Sequence, residues 1–500
     1  MLKEFTSPTA KALRTIVLPG LAAGLVLSLT LPEPVSAQSF NRTFNFGTVY
    51  KTAPSKSERV TSARHAVPMI SPRSAQAMYD AISRYEIIVR RGGWPKVSAK
   101  RPLVIGAKSK YVRRLRQRLA IERYLPAGAS ANSKKFDQNL FQAVKRFQMR
   151  HGLAATGKVD KQTLAVLNVP AGVRLQQLRE NLPRIQEYSK NLGGRYVLVN
   201  IPAAQLESVA FGQVYSRHNV VVGKPSRPSP VLASNINQLN FNPYWNAPVS
   251  IVAKDILPKV RKNPGWLKTM RIRVFDGHGG PEVNPRNVNW SSVAPDRFHF
   301  RQDPGGENAM ASVKINFPNK YAVYLHDTPS KGLFKRPQRF FSSGCVRVDK
   351  VHILTNWLLQ GQQGWNTQRI RAVAASERPT DVELYSPAQL RMVYLTAWAL
   401  PDGSVHFRPD VYRLDGSGFV KGQPRPTGRE AAAEARVYSP SGNSQAFTPP
   451  ASTYDNQDQL QGNTTILPAP TQPPAAQGQG HNFSRSAADQ KSGKKFKPRY

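Results

Sequence analysis

The spacing of apolar residues changes along the chain, and each change predicts a different element. From Ser74 the period is helical: Ala75, Met78, Ile82 and Tyr85 through Val89, up to the break at Gly92-Gly93. Val112, Leu115 and Leu119 then fall at i, i+3 and i+7. Leu140, Ala143, Val144 and Phe147 repeat that stripe, and Gly152 closes their helix. Asp160 caps a third short helix carrying Leu164 and Leu167, which stops before Pro170. Three short helices with one apolar face each make a small independent core over 101–170. A further amphipathic helix is expected from 171 to 192, through Leu175, Leu178, Leu182 and Ile185.

From Arg195 the period shortens to that of strands. Tyr196 to Ile201, Asn219 to Val222 and Ala322 to Leu325 are β-rich runs bounded by Gly and Pro. Met392 to Trp398 and Val405 to Phe407 flank Pro401-Asp402-Gly403-Ser404, a hairpin signal. The pattern predicts an α+β multidomain chain. Scaffold helices over 76–100 and 171–194 bracket the helical module of 101–170, and a mainly β domain follows over 195–416. Helical stretches with Trp266 and Trp290 interrupt the strands, so residues 250–305 are expected as an inserted lid subdomain. Residues 38–75 lack an apolar period and read as a linker. Residues 417–500, rich in Pro, Gln, Ser, Gly and Ala, read as a disordered tail with a basic tip, Lys494-Lys495-Phe496-Lys497-Pro498-Arg499.

Charge narrows the partner. Lys and Arg number 71 against 30 Asp and Glu, a net charge of +41, so a polyanion is expected. No nucleic-acid motif accompanies the charge, which favours a cell envelope over nucleic acid. Lys3, Lys11 and Arg14 precede an uncharged apolar run from Thr15 to Leu31, and small residues lead up to Ala37. That is the layout of a secretory signal cut after Ala37, with 1–37 as the signal peptide. Pro19 and Gly20 within the run favour cleavage over an uncleaved inner-membrane anchor. The expected location is the periplasm.

Cys345 is the single cysteine. A lone thiol in an exported chain is either buried and inert or reactive. Its context is Tyr324-Leu325-His326-Asp327, then Phe341-Ser342-Ser343-Gly344-Cys345-Val346-Arg347. An imidazole near the thiol can take its proton and leave a thiolate–imidazolium pair. Gly344 permits a tight turn beside sulfur, and backbone N–H groups there are candidate oxyanion donors.

This segment resembles the signature of the L,D-transpeptidases, the YkuD-type catalytic domain: a histidine, a spacer, then Ser-x-Gly-Cys-x-Arg/Asn. In most of that family the residue before glycine is His, whereas here it is Ser343, which is given no proton-transfer role. Residues Val112 to Leu119, Ala143 to Gln148, Gly152 to Gly157 and Thr163-Leu164, with Gly106, resemble the peptidoglycan-binding type 1 domain. Gly92-Gly93-Trp94-Pro95, Arg195 to Pro202, Phe241 to Asn246, Arg301 to Gly305 and Trp398 to Phe407 resemble the large branch of the family that carries such a module. The resemblance spans roughly residues 76–416.

It implies Cys345 as acyl-accepting nucleophile, His326 as base and the backbone carbonyl of Asp327 as third member, with Gly344 shaping the turn. It implies Arg347 near the substrate carboxylates. Tyr324, Ser343 and Trp245 are candidate lining residues. No cofactor and no metal are implied. The implied substrate is peptidoglycan with meso-diaminopimelate tetrapeptide stems, cut before the terminal D-alanine to leave a thioester. Resolution by a second stem's amine gives 3→3 cross-links; resolution by an outer-membrane protein's amine tethers it to the wall. Water as acceptor gives L,D-carboxypeptidase activity. Carbapenems are implied covalent inhibitors, and cell-wall biogenesis and cell shape are the implied processes.

Two other classes stand beside this reading. In a papain-like wall endopeptidase the cysteine precedes its histidine, which would draw on His352, His406 or His481. A noncatalytic wall-binding protein would use only the module and the charge.

Overall fold

In a computed structural model, the structure describes residues 67–416 together with the short strand β1, Glu58–Arg59. The predicted signal peptide and tail lie outside the described residues. Among those described, no helix is long and apolar enough to cross a membrane.

Helix α1, Ser74–Arg90, turns Ala77, Met78, Ala81, Ile82, Tyr85 and Ile88 inward. The module follows as α2 (Lys110–Ile121), α3 (Gln138–Arg150) and α4 (Lys161–Leu167). Ser109, Asp137 and Asp160 cap the three N-termini, each accepting a backbone N–H three residues on. Their stripes meet in one core of Val112, Leu115, Leu119, Leu140, Phe147 and Leu167. Helix α5, Ala171–Tyr188, then packs on α1.

Basic residues interleave with the apolar stripes of α2 and α3, where an amphipathic helix would put them on its outer face. Arg116 and Arg118 are instead buried. Arg116 pairs with Asp137 and donates to the carbonyls of Lys135 (3.1 Å) and Ser130 (2.9 Å). Arg118 pairs with Glu122, donates to the Leu167 carbonyl and lies 3.6 Å from the Trp94 ring centroid. A guanidinium offers five donors on a long apolar stem, so it can enter a core where carbonyls are available to receive it.

The β domain is built from β2 (Arg195–Asn200), β3 (Gln205–Ala210), β4 (Gln213–Gly223), β5 (Leu232–Phe241), β6 (Trp245–Asn246), β7 (Ile272–Phe275), β8 (His299–Gln302), β9 (Val313–Asn316), β10 (Leu325–His326), β11 (Phe340–Ser342), β12 (Val346–Val348), β13 (Thr380–Val393), β14 (Ala397–Ala399) and β15 (Val405–Phe407). The main sheet runs β4-β12-β10-β9-β5-β13-β2-β3, and β3 pairs back to β4, so the sheet closes on itself. Its core-facing row includes Val346, Leu325, Ile315, Leu239 and Val382. Helices α6 (Val351–Leu358) and α7 (Thr367–Ala375) follow β12. The domain is thus mainly β, preceded by a helical region, as the spacing predicts.

Two boundaries move. The stretch 38–75, read as a linker, is built into the fold at its far end. Strand β1 pairs with β4, Met69 and Ile70 are buried, and the Tyr196 hydroxyl donates to the Ile70 carbonyl at 2.6 Å. Two adjacent apolar residues are too few to show a period. The insertion starts before residue 250, because its small sheet, β6-β8-β7, takes in Trp245–Asn246. It carries its own core of Val252, Ile256, Leu257, Val260, Val274, Trp290 and Phe300.

The module is fastened to the β domain. The Arg408 guanidinium donates to the Arg150 carbonyl at 2.9 Å. His151 of the module stacks on Phe407 of β15, with ring centroids 5.4 Å apart.

Candidate active site

Strand register assembles the site. Strand β10 runs parallel to β12, with Leu325 opposite Val346 and His326 opposite Arg347. On the other side β10 is antiparallel to β9, with His326 opposite Lys314. Residues paired across a sheet share a face, so Arg347, His326 and Lys314 form one row, continued by Asn240 and Asp381. Cys345 immediately precedes β12, which places it opposite Tyr324 and on the face of His326. The Tyr324 and His326 rings meet edge to face at 5.4 Å.

The turn that presents sulfur is pinned by hydroxyls. Gly344 has φ +119°, where a side chain is strained. Ser229 Oγ donates to the Gly344 carbonyl at 2.6 Å, and Ser342 Oγ donates to the Cys345 carbonyl at 2.5 Å. The Gly344 N–H donates to Ser342 Oγ at 3.2 Å, and the Val346 N–H to the Tyr324 carbonyl at 3.0 Å. Those two N–H groups are therefore engaged, which leaves the Cys345 N–H as the turn's candidate oxyanion donor. Buried Ser229 is itself held by the Tyr412 hydroxyl, which accepts its N–H at 3.2 Å.

The electrostatics differ from the thiolate–imidazolium pair expected above. Burial, then the Arg347 charge, depresses His326 to about 3, and the adjacent Asp327 backbone only partly offsets this. Its Nδ1 makes no hydrogen bond of normal geometry. Burial raises the Cys345 thiol, opposed by Tyr324, Lys314 and Arg347. Cys345 as a residue is half-buried. The resting site thus holds a neutral thiol beside a neutral imidazole.

The other predicted residues divide. Tyr324 reaches both Cys345 and Trp245 through its side chain, so Trp245, at the root of the insertion, borders the site. The Asp327 carboxylate is turned away: it accepts from Ser312 Oγ at 2.7 Å and pairs with Lys331, which makes it a turn brace. Exposed Ser343 accepts from Arg227 at 2.7 Å, and Arg227 also pairs with Asp255 of the insertion at 3.0 Å. Arg347 has its Nε buried without a partner. His352 is exposed on α6, and half-buried His406 on β15 stacks on Trp398 of β14 at 5.0 Å; the register brings neither to Cys345. His481 lies outside the described residues. Among the described residues no group of three His, Cys, Asp or Glu could hold a metal.

Sequence reasoning missed Lys314, Ser229, Ser342 and Arg227. Lys314 had a signal: the alternation Val313-Lys314-Ile315-Asn316 marks a strand with one polar face. Ser342 had one too, as the Ser of the Ser-x-Gly-Cys motif beside the groups it bonds, whereas Ser229 and Arg227 act through tertiary hydrogen bonds that leave no local pattern.

Residues 194–365 match the YkuD family model, described as the L,D-transpeptidase catalytic domain, and residues 108–167 match PG_binding_1, described as a "Putative peptidoglycan binding domain". The chain carries a YkuD-type L,D-transpeptidase catalytic domain joined to a peptidoglycan-binding-type module. The first match stops short of β13, which the structure nonetheless builds into the same closed sheet. A Haemophilus influenzae protein named "Putative L,D-transpeptidase" is 34% identical over 241 residues, 48% of this chain and 48% of that one. The chain thus spans about half of that relative's length in the match. Among solved structures, an L,D-transpeptidase from Xylanimonas cellulosilytica is 14% identical, covering 59% of this chain and 98% of that one at a TM-score of 0.19. One from Stackebrandtia nassauensis is 14% identical, covering 60% and 96% at 0.21. At such scores neither superposition adds to the fold description.

Proposed function

We propose that the protein is a periplasmic L,D-transpeptidase that acts on peptidoglycan tetrapeptide stems through a thioester on Cys345. The observation that carries this is the convergence of Cys345, Tyr324 and His326 on one face of adjoining strands, inside the segment that matches the catalytic domain. As Sγ bonds to the carbonyl carbon of the third residue, His326 takes the thiol proton. The Cys345 N–H and the Tyr324 hydroxyl stabilise the oxyanion. The C–N bond to the terminal D-alanine then breaks, and its nitrogen takes the proton from His326. An acceptor amine attacks the thioester, the C–S bond breaks and the thiol is restored.

A second stem's amine gives a 3→3 cross-link, an outer-membrane protein's amine gives a tether, and water gives a tripeptide. Carbapenems would acylate the same sulfur. The N-terminal segment exports the chain, and the module and net charge hold it on the wall. The test is incubation with purified disaccharide-tetrapeptide. Cross-linked dimers with released D-alanine, absent with Cys345→Ala, are expected. Dimers formed by the Cys345→Ala protein would overturn the nucleophile, and tripeptide alone would make the enzyme a carboxypeptidase.

A further inference from the structure

Two cations flank His326, and neither forms an ion pair; the Asp381 carboxylate, two strands beyond Lys314 across Asn240, acts on it only at longer range. Among the described residues, no carboxylate lies within ion-pair distance of Arg347 or Lys314, whereas other cations, such as Arg227 with Asp255 and Lys331 with Asp327, do pair. Both are partly buried. An unpaired cation in a partly desolvated site costs stability unless something else compensates it. A substrate anion would do so.

Their places differ. Arg347 is on β12, two residues after Cys345, so it stays on the side of sulfur and of the acyl residue bound to it. Lys314 is on β9, across His326 from β12. Its ammonium sits 4.9 Å from the centroid of the Tyr324 ring, which orients it over the site. Each strand step is roughly 4.8 Å, so the two backbones stand roughly 10 Å apart with the base between them.

The chemistry assigns the sides. The departing nitrogen must receive its proton from His326, so the leaving residue lies on the base's side, away from β12. Its carboxylate is one carbon beyond that nitrogen. We propose that Lys314 binds the free α-carboxylate of the leaving residue, and so makes the enzyme select stems that end in an uncapped carboxylate one residue past the scissile bond. Arg347 is left for the side-chain carboxylate of the retained diaminopimelate. Lys314 is a specificity residue: it touches substrate but exchanges no proton with it. The inference rests on the transpeptidase reading above.

The test compares three disaccharide-tetrapeptides: the natural one, one with the terminal carboxylate as a carboxamide, and one with only the diaminopimelate side-chain carboxylate amidated. Release of the C-terminal residue gives kcat/KM for each, in the wild type, Lys314→Met, Lys314→Gln and Lys314→Arg. The wild type should prefer the natural stem over the terminal amide by ~10- to 100-fold, the range of one charge-assisted hydrogen bond. Lys314→Met and Lys314→Gln should bring that ratio towards one, chiefly through KM, and keep the discrimination against the side-chain amide. Lys314→Arg should restore most of the terminal preference. A change in thiol reactivity cancels in these ratios, because every substrate meets the same sulfur. An unchanged terminal ratio in both neutral variants would overturn the assignment, as would a collapse of the side-chain ratio instead. A wild type that acts on none of the three would overturn the transpeptidase reading itself, and this inference with it.

Discussion

At the residue scale, the state of Cys345 before substrate arrives follows from burial. Desolvation disfavours a charged form of either partner, so it raises the thiol and lowers the imidazole together. Free cysteine ionises near 8.5. With its pKa raised, Cys345 holds less thiolate at pH 7 than free cysteine does. Iodoacetamide should therefore alkylate it more slowly than free cysteine at pH 7, and the rate should still be climbing at pH 9. A rate that levels off below pH 7 would mean a preformed thiolate and would contradict this electrostatic account. The candidate pair, Cys345 and His326, was legible in the sequence because Cys345 is the single thiol and its spacing from His326 carries a motif; the strand register puts both on one face. Lys314 was not, because its place beside His326 depends on the register of β9 against β10. The ion pair expected between thiol and imidazole failed for a related reason: burial is a property of the assembled site.

At the scale of elements, the module shows how much a helical stripe reveals. Its three helices, their caps and their shared core follow from the spacing of Leu, Val and Phe. The fate of its arginines does not, because exposed and buried arginine look alike in a sequence. Arg113 and Arg114 are exposed and Lys145 is half-buried, so they remain candidates for holding anionic wall. Replacing these three with Ser should weaken pull-down by purified sacculi at low salt, with the melting temperature nearly unchanged. Arg116→Ser should act in the opposite way. It strands Asp137 and two carbonyls, costs about 2 kcal/mol and lowers the melting temperature. Unchanged pull-down with the triple variant would mean that these residues do not hold the wall. The limits of the insertion were blurred for a related reason: Trp245–Asn246 is a strand only because β8 lies beside it.

At the scale of the whole molecule, the catalytic sheet and the module are parts of one packed assembly. Tyr85 of α1 bonds Glu122 of the module, and Arg174 of α5 lies 4.5 Å from the ring centroid of Phe407 on β15. Such an assembly would present the site at a set position relative to any wall the module grips. The order of helical region and mainly β domain was readable from the change of period at Arg195. Closure of the sheet was not, because it depends on β4 pairing with β3 along one half and with β12 along the other. The central claim is that the whole assembly serves one sulfur. The most direct measurement is intact-mass and peptide mass spectrometry of the full chain, quenched in acid during turnover of disaccharide-tetrapeptide. The account predicts an adduct of the stem less its terminal D-alanine, located on Cys345 and released by hydroxylamine. Turnover with no adduct on Cys345, or with the acyl group on another residue, would contradict it.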